Sequence, residues 1–269
     1  MKILSFDIGG TKIAYALVDE RGKIIGEVKK ISTPDTAEKI KTTIQTIINS
    51  EKFDGLAFAT AGVVFNNKLA KKPLNLPSGY ENIDFALLAN VPVAVENDAN
   101  AAAWCEYKIG GAQNSKNAIV LALGTGVGCG IICNGKLLKG KSGAAGECRF
   151  AISGKDFAKT ALEYGLEPDC FALDDLAKKN NEKAKAVMDK WHKDLFNALG
   201  CLNDLFDAEK IVLSGSLSQI VDYTLMQNKI KDFAYGEPPI ICKAEDCEFP
   251  ALIGAALLWF DTYNKGNLI

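Results

Sequence analysis

Several residue types and motifs that mark familiar protein classes are rare or missing in this sequence. The chain of 269 residues has one histidine, His192, and its eight cysteines form no Cys-x-x-Cys pair. Because zinc sites are built from closely spaced cysteines and histidines, we expect no structural zinc. A Gly-x-Ser-x-Gly motif is also missing. A Ser-His-Asp hydrolase is therefore unsupported, and we expect His192 to lie on a helix surface or to be packed.

A surplus of positive charge and a long apolar run are missing as well. The chain has 31 Lys and Arg against 33 Asp and Glu, a net charge of -2, which argues against nucleic acid as a partner. The apolar run FPALIGAALLWF is too short to span a membrane, and the N-terminal MKILSF is interrupted at Asp7, unlike a signal peptide. We therefore expect a cytoplasmic protein with reduced, mostly buried thiols.

The two common phosphate-binding motifs are not found either. No Gly-x4-Gly-Lys-Ser/Thr string occurs. The stretch GTGVGCG at 124–130 resembles a dinucleotide fingerprint, but the β-branched residues that follow predict a strand, whereas that fingerprint opens a helix. Any nucleotide site must therefore be built in another way.

Strand and helix patterns alternate along the chain, which predicts an α/β fold. The first thirty residues read as three strands separated by turns at Gly9-Gly10 and at 20–22. Residues 117–140 repeat this pattern, with turns at 124–126 and Asn134-Gly135. Further predictions are a strand at Val91–Val95 with a helix directly after Asp98, a long amphipathic helix over 182–207 and a closing helix over 249–264. The repeat favours two related lobes.

The two Gly/Thr turns are candidates for a phosphate site. Successive backbone N–H groups in Gly9-Gly10-Thr11 and in Gly124-Thr125-Gly126 can form an anion-binding concavity, to which a Thr hydroxyl adds a donor. Asp7, beside the first turn, would hold Mg²⁺ through water. The alternative is that both are ordinary hairpin turns.

The stretch VENDANAAAW places a carboxylate between a strand and a helix. Asp98 has a simple explanation as a helix N-cap. However, Asn97, Asp98 and Asn100 supply more polar groups than one cap needs, and α/β proteins bind ligands at the carboxyl ends of strands. In phosphoryl transfer, such an Asp accepts the proton of the attacking hydroxyl.

Taken together, these stretches resemble the ROK (repressor, open reading frame, kinase) family of sugar kinases. The resemblance spans nearly the whole chain and is strongest over residues 1–15, 91–106 and 119–147, where DIGGTK and ENDANAAA are its most specific motifs. It implies the actin-like ATPase (ribonuclease H-like) fold with two lobes. We predict an N-terminal lobe of 1–105 plus 252–269 and a C-terminal lobe of 106–251.

The resemblance also implies roles for individual residues. It gives Asp98 as the catalytic base and Asp7 as the residue near Mg²⁺. The other implied positions are the ATP phosphate loops Gly9, Gly10, Thr11, Lys12 and Gly124, Thr125, Gly126, the adenosine site Gly215 and Ser216, and the sugar contacts Gly62, Asn75, Asn97, Asp98 and Glu147.

The chain departs from the family pattern after Glu147. Arg149 and Phe150 stand where Gly-His is expected, and that His both binds sugar and ligates zinc. The cysteine-rich zinc loop is missing, and Lys155 or Asp156 falls nearest to the position of its sugar-binding Glu. The resemblance therefore implies no structural zinc and does not carry over a sugar specificity.

We predict an ATP-dependent kinase for a hexose or hexose derivative. One alternative is a catalytically weak sugar or nucleotide sensor, motivated by the missing His and Glu. Another is a kinase for an N-acetylated amino sugar or a polyol. Because the first strand begins at the third residue, we expect no DNA-binding domain. The resemblance leaves a homodimer open.

Overall fold

A computed structural model of the protein describes residues 1–245 and 247–264. Strands and helices alternate through this part of the chain, which confirms the predicted α/β class. The strands are β1 Ile3–Ile8, β2 Lys12–Val18, β3 Ile24–Ser32, β4 Gly55–Thr60, β5 Val64–Phe65, β6 Lys68–Leu69, β7 Val93–Asn97, β8 Ala118–Leu123, β9 Val127–Cys133, β10 Lys136–Leu137, β11 Lys210–Ser214 and β12 Ile240–Lys243. The α-helices are α1 Ala37–Ser50, α2 Asp98–Ile109, α3 Gly154–Glu163, α4 Cys170–Lys178, α5 Glu182–Phe206, α6 Tyr223–Phe233 and α7 Pro250–Tyr263.

Ten of these strands form two five-stranded sheets of identical topology. The first has the order β3-β2-β1-β4-β7 and the second the order β10-β9-β8-β11-β12. In each sheet, the three strands that follow one another in sequence form an antiparallel meander. The other two strands run parallel to the earliest strand of the meander, which is β1 in the first sheet and β8 in the second. The repeat seen in the sequence is therefore a duplicated sheet, while the proposed lobe boundaries stay a prediction.

Helices α2 and α7 share one apolar cluster with strands of both sheets. The cluster includes Ile3 and Ala57 from the first sheet and Val120 and Val212 from the second. The two helices approach closely because Gly254 of α7 has no side chain, and a Cβ there would overlap the carbonyl oxygen of Ala101. This shared core fixes the start of α2 between the two sheets.

Strand β7 corrects the predicted strand at Val91–Val95. It begins at Val93, after Pro92, and continues through Glu96 and Asn97. Proline has no N–H to give to a ladder. Glu96 and Asn97 stay in the strand because they pair with Ala59 and Thr60 of β4. The polar residues before α2 are thus held in a sheet and not in a loop.

The long helix α5 confirms its predicted apolar face, with Val187, Trp191, Leu195, Leu199 and Leu202 buried. His192 is buried beside that face, and its Nε2 lies 3.2 Å from both the carbonyl oxygen of Ile220 and the backbone N of Asp222. Burial lowers the pKa of His192. It is therefore a packed histidine, as the sequence allowed.

The cysteines are less buried than predicted. All eight lie in the described part of the chain as free thiols, but Cys105 and Cys129 alone are buried, whereas Cys133 and Cys201 are exposed. Composition could not show which face of a helix or strand each thiol occupies, and this expectation was wrong. No helix in the described residues combines the length and apolarity that crossing a bilayer requires.

Candidate active site

The parallel strands of the first sheet place polar residues side by side at their carboxyl ends. Ile8 of β1 lies opposite Thr60 of β4, and Thr60 lies opposite Asn97 of β7. Neighbouring strands are about 4.8 Å apart, so Asp7 lies roughly 10 Å across the sheet from the end of β7. The ends of these strands are the ligand edge expected of an α/β sheet.

Asp98 is the first residue of α2, and its carboxylate is held at one oxygen. Its Oδ1 accepts hydrogen bonds from the backbone N of Ala99 at 2.9 Å and from Nδ2 of Asn97 at 3.1 Å. The helix cap is Asn97, whose Oδ1 accepts from the backbone N of Asn100 at 3.0 Å. Asp98 is therefore not the N-cap that one interpretation of the sequence offered. Its Oδ2 accepts no hydrogen bond from the described residues.

Two acids share this edge of the sheet. Burial, and next the negative charge of Asp98, raise the pKa of Asp7 to about 6, although the charge of Lys12 acts in the other direction. Burial also raises the pKa of Asp98, with a further contribution from Glu147. Half-buried acids whose charges repel are an arrangement that a bound cation stabilises. Among the described residues, no cluster of three or more metal-ligating side chains occurs, so protein ligands alone would not encase such a cation.

The first glycine turn is tightly built. The backbone N of Gly9 donates to the carbonyl oxygen of Lys12 at 3.0 Å, and Oγ1 of Thr33 donates to the carbonyl oxygen of Gly9 at 2.6 Å. A Cβ on Gly10 would overlap the carbonyl oxygen of Asn75 and lie 2.8 Å from its Cβ. The turn and Asn75 are therefore in direct contact, while Thr11 and Lys12 are exposed.

The second glycine turn is open. The backbone N of Gly124 donates to the carbonyl oxygen of Gly126 at 3.0 Å, and the backbone N of Gly154 donates to Gly124 at 2.7 Å. A Cβ added to Gly124 or Gly126 would meet no atom within 4 Å. These two glycines are therefore not required by packing, and their Cα atoms face open space.

The second turn lies next to two other predicted positions. Gly215, with a φ of 83°, approaches β8 so closely that a Cβ would lie 2.8 Å from the carbonyl carbon of Leu123. Ser216 follows it, exposed, at the start of a short 3-10 helix. On the other side, a Cβ on Gly128 would lie 2.8 Å from the Cβ of Ala99. The hairpin that carries the turn therefore packs against the first turn of α2, which begins at Asp98.

The predicted sugar contacts gather around Asn97. Nδ2 of Asn97 donates to the carbonyl oxygen of Gly62 at 3.0 Å, and Gly62 has a φ of 100°. Glu147 is exposed, yet its charge acts on Asp98. The structure thus brings together Gly62, Asn97, Asp98 and Glu147, with Asn75 placed beside Gly10.

Sequence reasoning missed several buried polar residues beneath this edge. Tyr80 is fully buried, and its hydroxyl lies 2.7 Å from Oγ1 of Thr60. Burial raises the pKa of Tyr80, to which Asp7 and Asp98 contribute. Glu96 is buried and lies 2.6 Å from Nζ of Lys139. An acid inside an apolar strand was the available signal for Glu96, whereas nothing local marked Tyr80 or Lys139.

The segment after Glu147 has no sugar-binding His, as the sequence showed. Asp156, one of two candidates for the missing Glu, forms a capping box with Ser153 at the start of α3, and its carboxylate accepts from the Ser153 backbone N at 3.0 Å. Lys155, the other, is exposed. The carboxylate of Asp156 is thus already engaged in a helix cap.

The sequence matches the family model described as ROK family over residues 3–150 and 148–262. It is 29% identical over 289 aligned positions to the N-acetylmannosamine kinase of Yersinia pestis, covering 95% of this chain and 97% of that protein. It is 40% identical over 151 residues to the glucokinase of Streptomyces coelicolor. That match covers 54% of this chain, and it spans about half, 47%, of the glucokinase.

Solved structures of the family share the fold. The ROK hexokinase from Thermus thermophilus superposes with a TM-score of 0.83 at 24% identity and covers 99% of this chain and 100% of its own. The ROK family glucokinase from Streptomyces griseus, in complex with glucose and AMPPNP, gives 0.76 at 25% identity with coverage of 96% and 99%. The predicted actin-like ATPase fold is thereby confirmed. By its sequence over nearly its whole length and by its fold, the chain belongs to the ROK family.

Proposed function

We propose that the protein is an ATP-dependent sugar kinase that transfers the γ-phosphoryl group to a hydroxyl of a hexose or hexose derivative. The observation that carries the proposal is the state of Asp98, a half-buried carboxylate held at Oδ1 and open at Oδ2, beside a glycine turn that borders empty space. The kinases named among its relatives support the reaction class.

In this proposal Asp98 is the general base. Oδ2 accepts the proton of the sugar hydroxyl as its oxygen attacks phosphorus, while the hydrogen bonds at Oδ1 hold the carboxylate in place. Burial raises the pKa of Asp98, which brings its basicity closer to what proton transfer near neutral pH requires. Asn97 both holds Asp98 and caps α2, so base and helix move together.

The glycine turns would receive the phosphates of ATP. The backbone N–H groups of Gly10 and Gly126 and the hydroxyls of Thr11 and Thr125 are the proposed donors, while the N–H groups of Gly9 and Gly124 close the turns themselves, and Lys12 adds a positive charge. Gly215 and Ser216 lie beside the second turn and would contact the adenosine.

The donor set fits a hydrated divalent cation. Asp7 would hold Mg²⁺ through water, because burial and the charge of Asp98 make its ionised form costly without a cation. When bound, Mg²⁺ neutralises charge on the phosphates.

The sugar would lie against Gly62, Asn75, Asn97 and Glu147, above the base. Closure of the two proposed lobes, 1–105 with 252–269 and 106–251, would exclude water from the transfer. The relatives named glucokinase and N-acetylmannosamine kinase make a hexose and its N-acetylated derivatives the first substrates to test. An enzyme that consumes ATP would act in the cytoplasm, and both this location and a homodimer stay predictions.

One observation favours a second candidate, a catalytically weak sensor of sugar or nucleotide. The carboxylate of Asp156 is engaged in the cap of α3, and Arg149 and Phe150 replace the family's Gly-His. The sugar site therefore has fewer polar contacts than the family pattern provides, which would weaken binding.

The test is ADP release from Mg-ATP across hexoses, N-acetylhexosamines and polyols, with Asp98→Asn as control. A kinase gives turnover that depends on one class of sugar and is lost in Asp98→Asn. Nucleotide binding with no stimulation by any compound would contradict the kinase and favour the sensor.

A further inference from the structure

Glu96 is a buried acid with a defined set of partners next to the proposed base. Its side chain is 3% exposed. Oε1 accepts hydrogen bonds from the backbone N of Asn97 at 2.9 Å and from Nδ2 of Asn100 at 3.1 Å. These two residues flank Asp98 and Ala99. Glu96 therefore holds, from below, the segment in which the base lies.

The charge of Glu96 is compensated from the other sheet. Nζ of Lys139, which follows β10, lies 2.6 Å from Oε2. Apart from this ion pair, Oε2 has no hydrogen-bond partner in the part of the chain that the structure describes. The carbonyl oxygen of Lys139 accepts from the backbone N of Ala145 at 3.2 Å, two residues before Glu147. Lys139 thus connects the base segment to the segment of a proposed sugar contact.

We propose that Glu96 and Lys139 are positioning residues that set the base Asp98 against the sugar-binding segment around Glu147. This inference rests on the proposed kinase function. Neither side chain touches the reacting atoms. The pair acts through Asn97 and Asn100 on one side and through the chain from Lys139 to Glu147 on the other.

The two members of the pair differ in burial, so their removal has unequal consequences. Lys139→Met leaves a buried carboxylate oxygen without compensation, which favours a movement of the Glu96 side chain that disturbs its hydrogen bonds. Glu96→Gln keeps an oxygen for Asn97 and Asn100. Lys139 is 43% exposed, so its ammonium can then turn to solvent. The double variant leaves a neutral, correctly shaped pair.

The kinetic test uses Glu96→Gln, Lys139→Met and the double variant with Mg-ATP and the best sugar. A displacement of the base on the order of 1 Å predicts a loss of roughly 10- to 100-fold in kcat for Lys139→Met. The KM for ATP stays within about twofold, because the glycine turns are not touched, and the double variant recovers most of kcat. Lys141→Met, an exposed lysine in the same loop, is the matched control and keeps wild-type kcat.

A second readout does not depend on activity. In protein labelled with ¹⁵N-asparagine, the side-chain amide resonances of Asn100 shift in Lys139→Met and return in the double variant. Wild-type kcat in Lys139→Met, or a double variant no better than that single variant, overturns the inference, as do unchanged Asn100 resonances. If Lys139→Met does not fold, Lys139→Gln, which also removes the positive charge, takes its place in the same comparison. A wild-type protein without any sugar-dependent turnover contradicts the proposed function, whereas the Asn100 resonances still decide whether the pair holds this segment.

Discussion

The two sheets have the same strand order, yet the residues at the ends of their strands are of different kinds. In the first sheet, the strand ends carry Asp7, Glu96 and Asn97, and Asp98 follows directly. In the second, Ala122 of β8 stands where Asp7 stands in β1, and β8 and β11 lead into the glycine turn 124–126 and the stretch Ser214–Ser216. One topology thus provides two ligand edges. The first combines a glycine turn with acids suited to proton transfer and cation binding, whereas the second offers a glycine turn without such acids.

The two glycine turns differ in the same way. Position 10 requires a glycine because Asn75 lies against it, whereas Gly124 and Gly126 border open space. A glycine needed for packing contributes to stability, while a glycine that borders a ligand contributes to binding. The predictions below separate the two edges by this difference, in order of decreasing expected effect.

The largest effect is expected for Asp98→Asn. Loss of a positioned general base lowers kcat by about 10²- to 10⁴-fold. Asparagine keeps an oxygen for Ala99 and nearly the same shape, so the fold and the KM for ATP should change little. Steady-state kinetics with each substrate varied in turn measures kcat and the KM for ATP separately, with Asn114→Asp as a surface control. Retained kcat would remove Asp98 from the role of base.

Asp7→Asn should stabilise the free protein at high pH and weaken its response to Mg-ATP. Because the folded pKa, about 6, lies above the ordinary 3.8, the folded state binds the proton more tightly than the unfolded chain. Ionised Asp7 therefore destabilises the fold above pH 6, and this cost disappears as the pH falls below about 4. Urea unfolding at pH 8 without Mg²⁺ should show a gain of up to about 3 kcal/mol, and none at pH 3.5.

The same variant tests the cation. At a given ligand concentration, binding to the folded state stabilises it by an amount that grows with the logarithm of the affinity, so Mg-ATP should raise the melting temperature of the wild type more than that of Asp7→Asn. An equal rise in both proteins would show that Asp7 does not hold Mg²⁺.

Substitution of a glycine by alanine should lower the stability of the fold at the first turn and weaken ATP binding at the second. Gly10→Ala forces its Cβ onto Asn75 and should cost about 1–3 kcal/mol in the free energy of unfolding. Gly124→Ala should change that free energy by less than about 0.5 kcal/mol, because its Cβ meets nothing, but should raise the KM for ATP. Denaturant unfolding and ATP titration distinguish the two. Destabilisation by Gly124→Ala would show that the second turn also serves packing.

Most of the fold could be predicted from local sequence patterns. The turns of both hairpins and the apolar face of α5 depend on residues close in sequence, so Gly9-Gly10, Gly124–Gly126 and the Val187 to Leu202 face could be predicted. The start of β7 could not, because Glu96 and Asn97 stay extended through pairing with β4. The pairs Glu96–Lys139 and Thr60–Tyr80 join residues that lie 43 and 20 positions apart in sequence, and no local periodicity predicts such contacts.

The resemblance to the family added the candidate site to these patterns. It named Asp7, Asp98 and the second turn as parts of one site, which spacing alone could not do. The capping role of Asn97 depends on the geometry at the start of α2, where either Asn97 or Asp98 is an acceptable cap by residue type.

The division of roles between the two edges is tested most directly by measuring turnover and ATP affinity in two variants side by side. Asp98→Asn should lose sugar-dependent ADP release while binding ATP as the wild type does. Gly126→Val, whose side chain would fill the empty space at the second turn, should lose ATP affinity with its fold intact. Loss of ATP affinity in Asp98→Asn together with normal affinity in Gly126→Val would contradict the account.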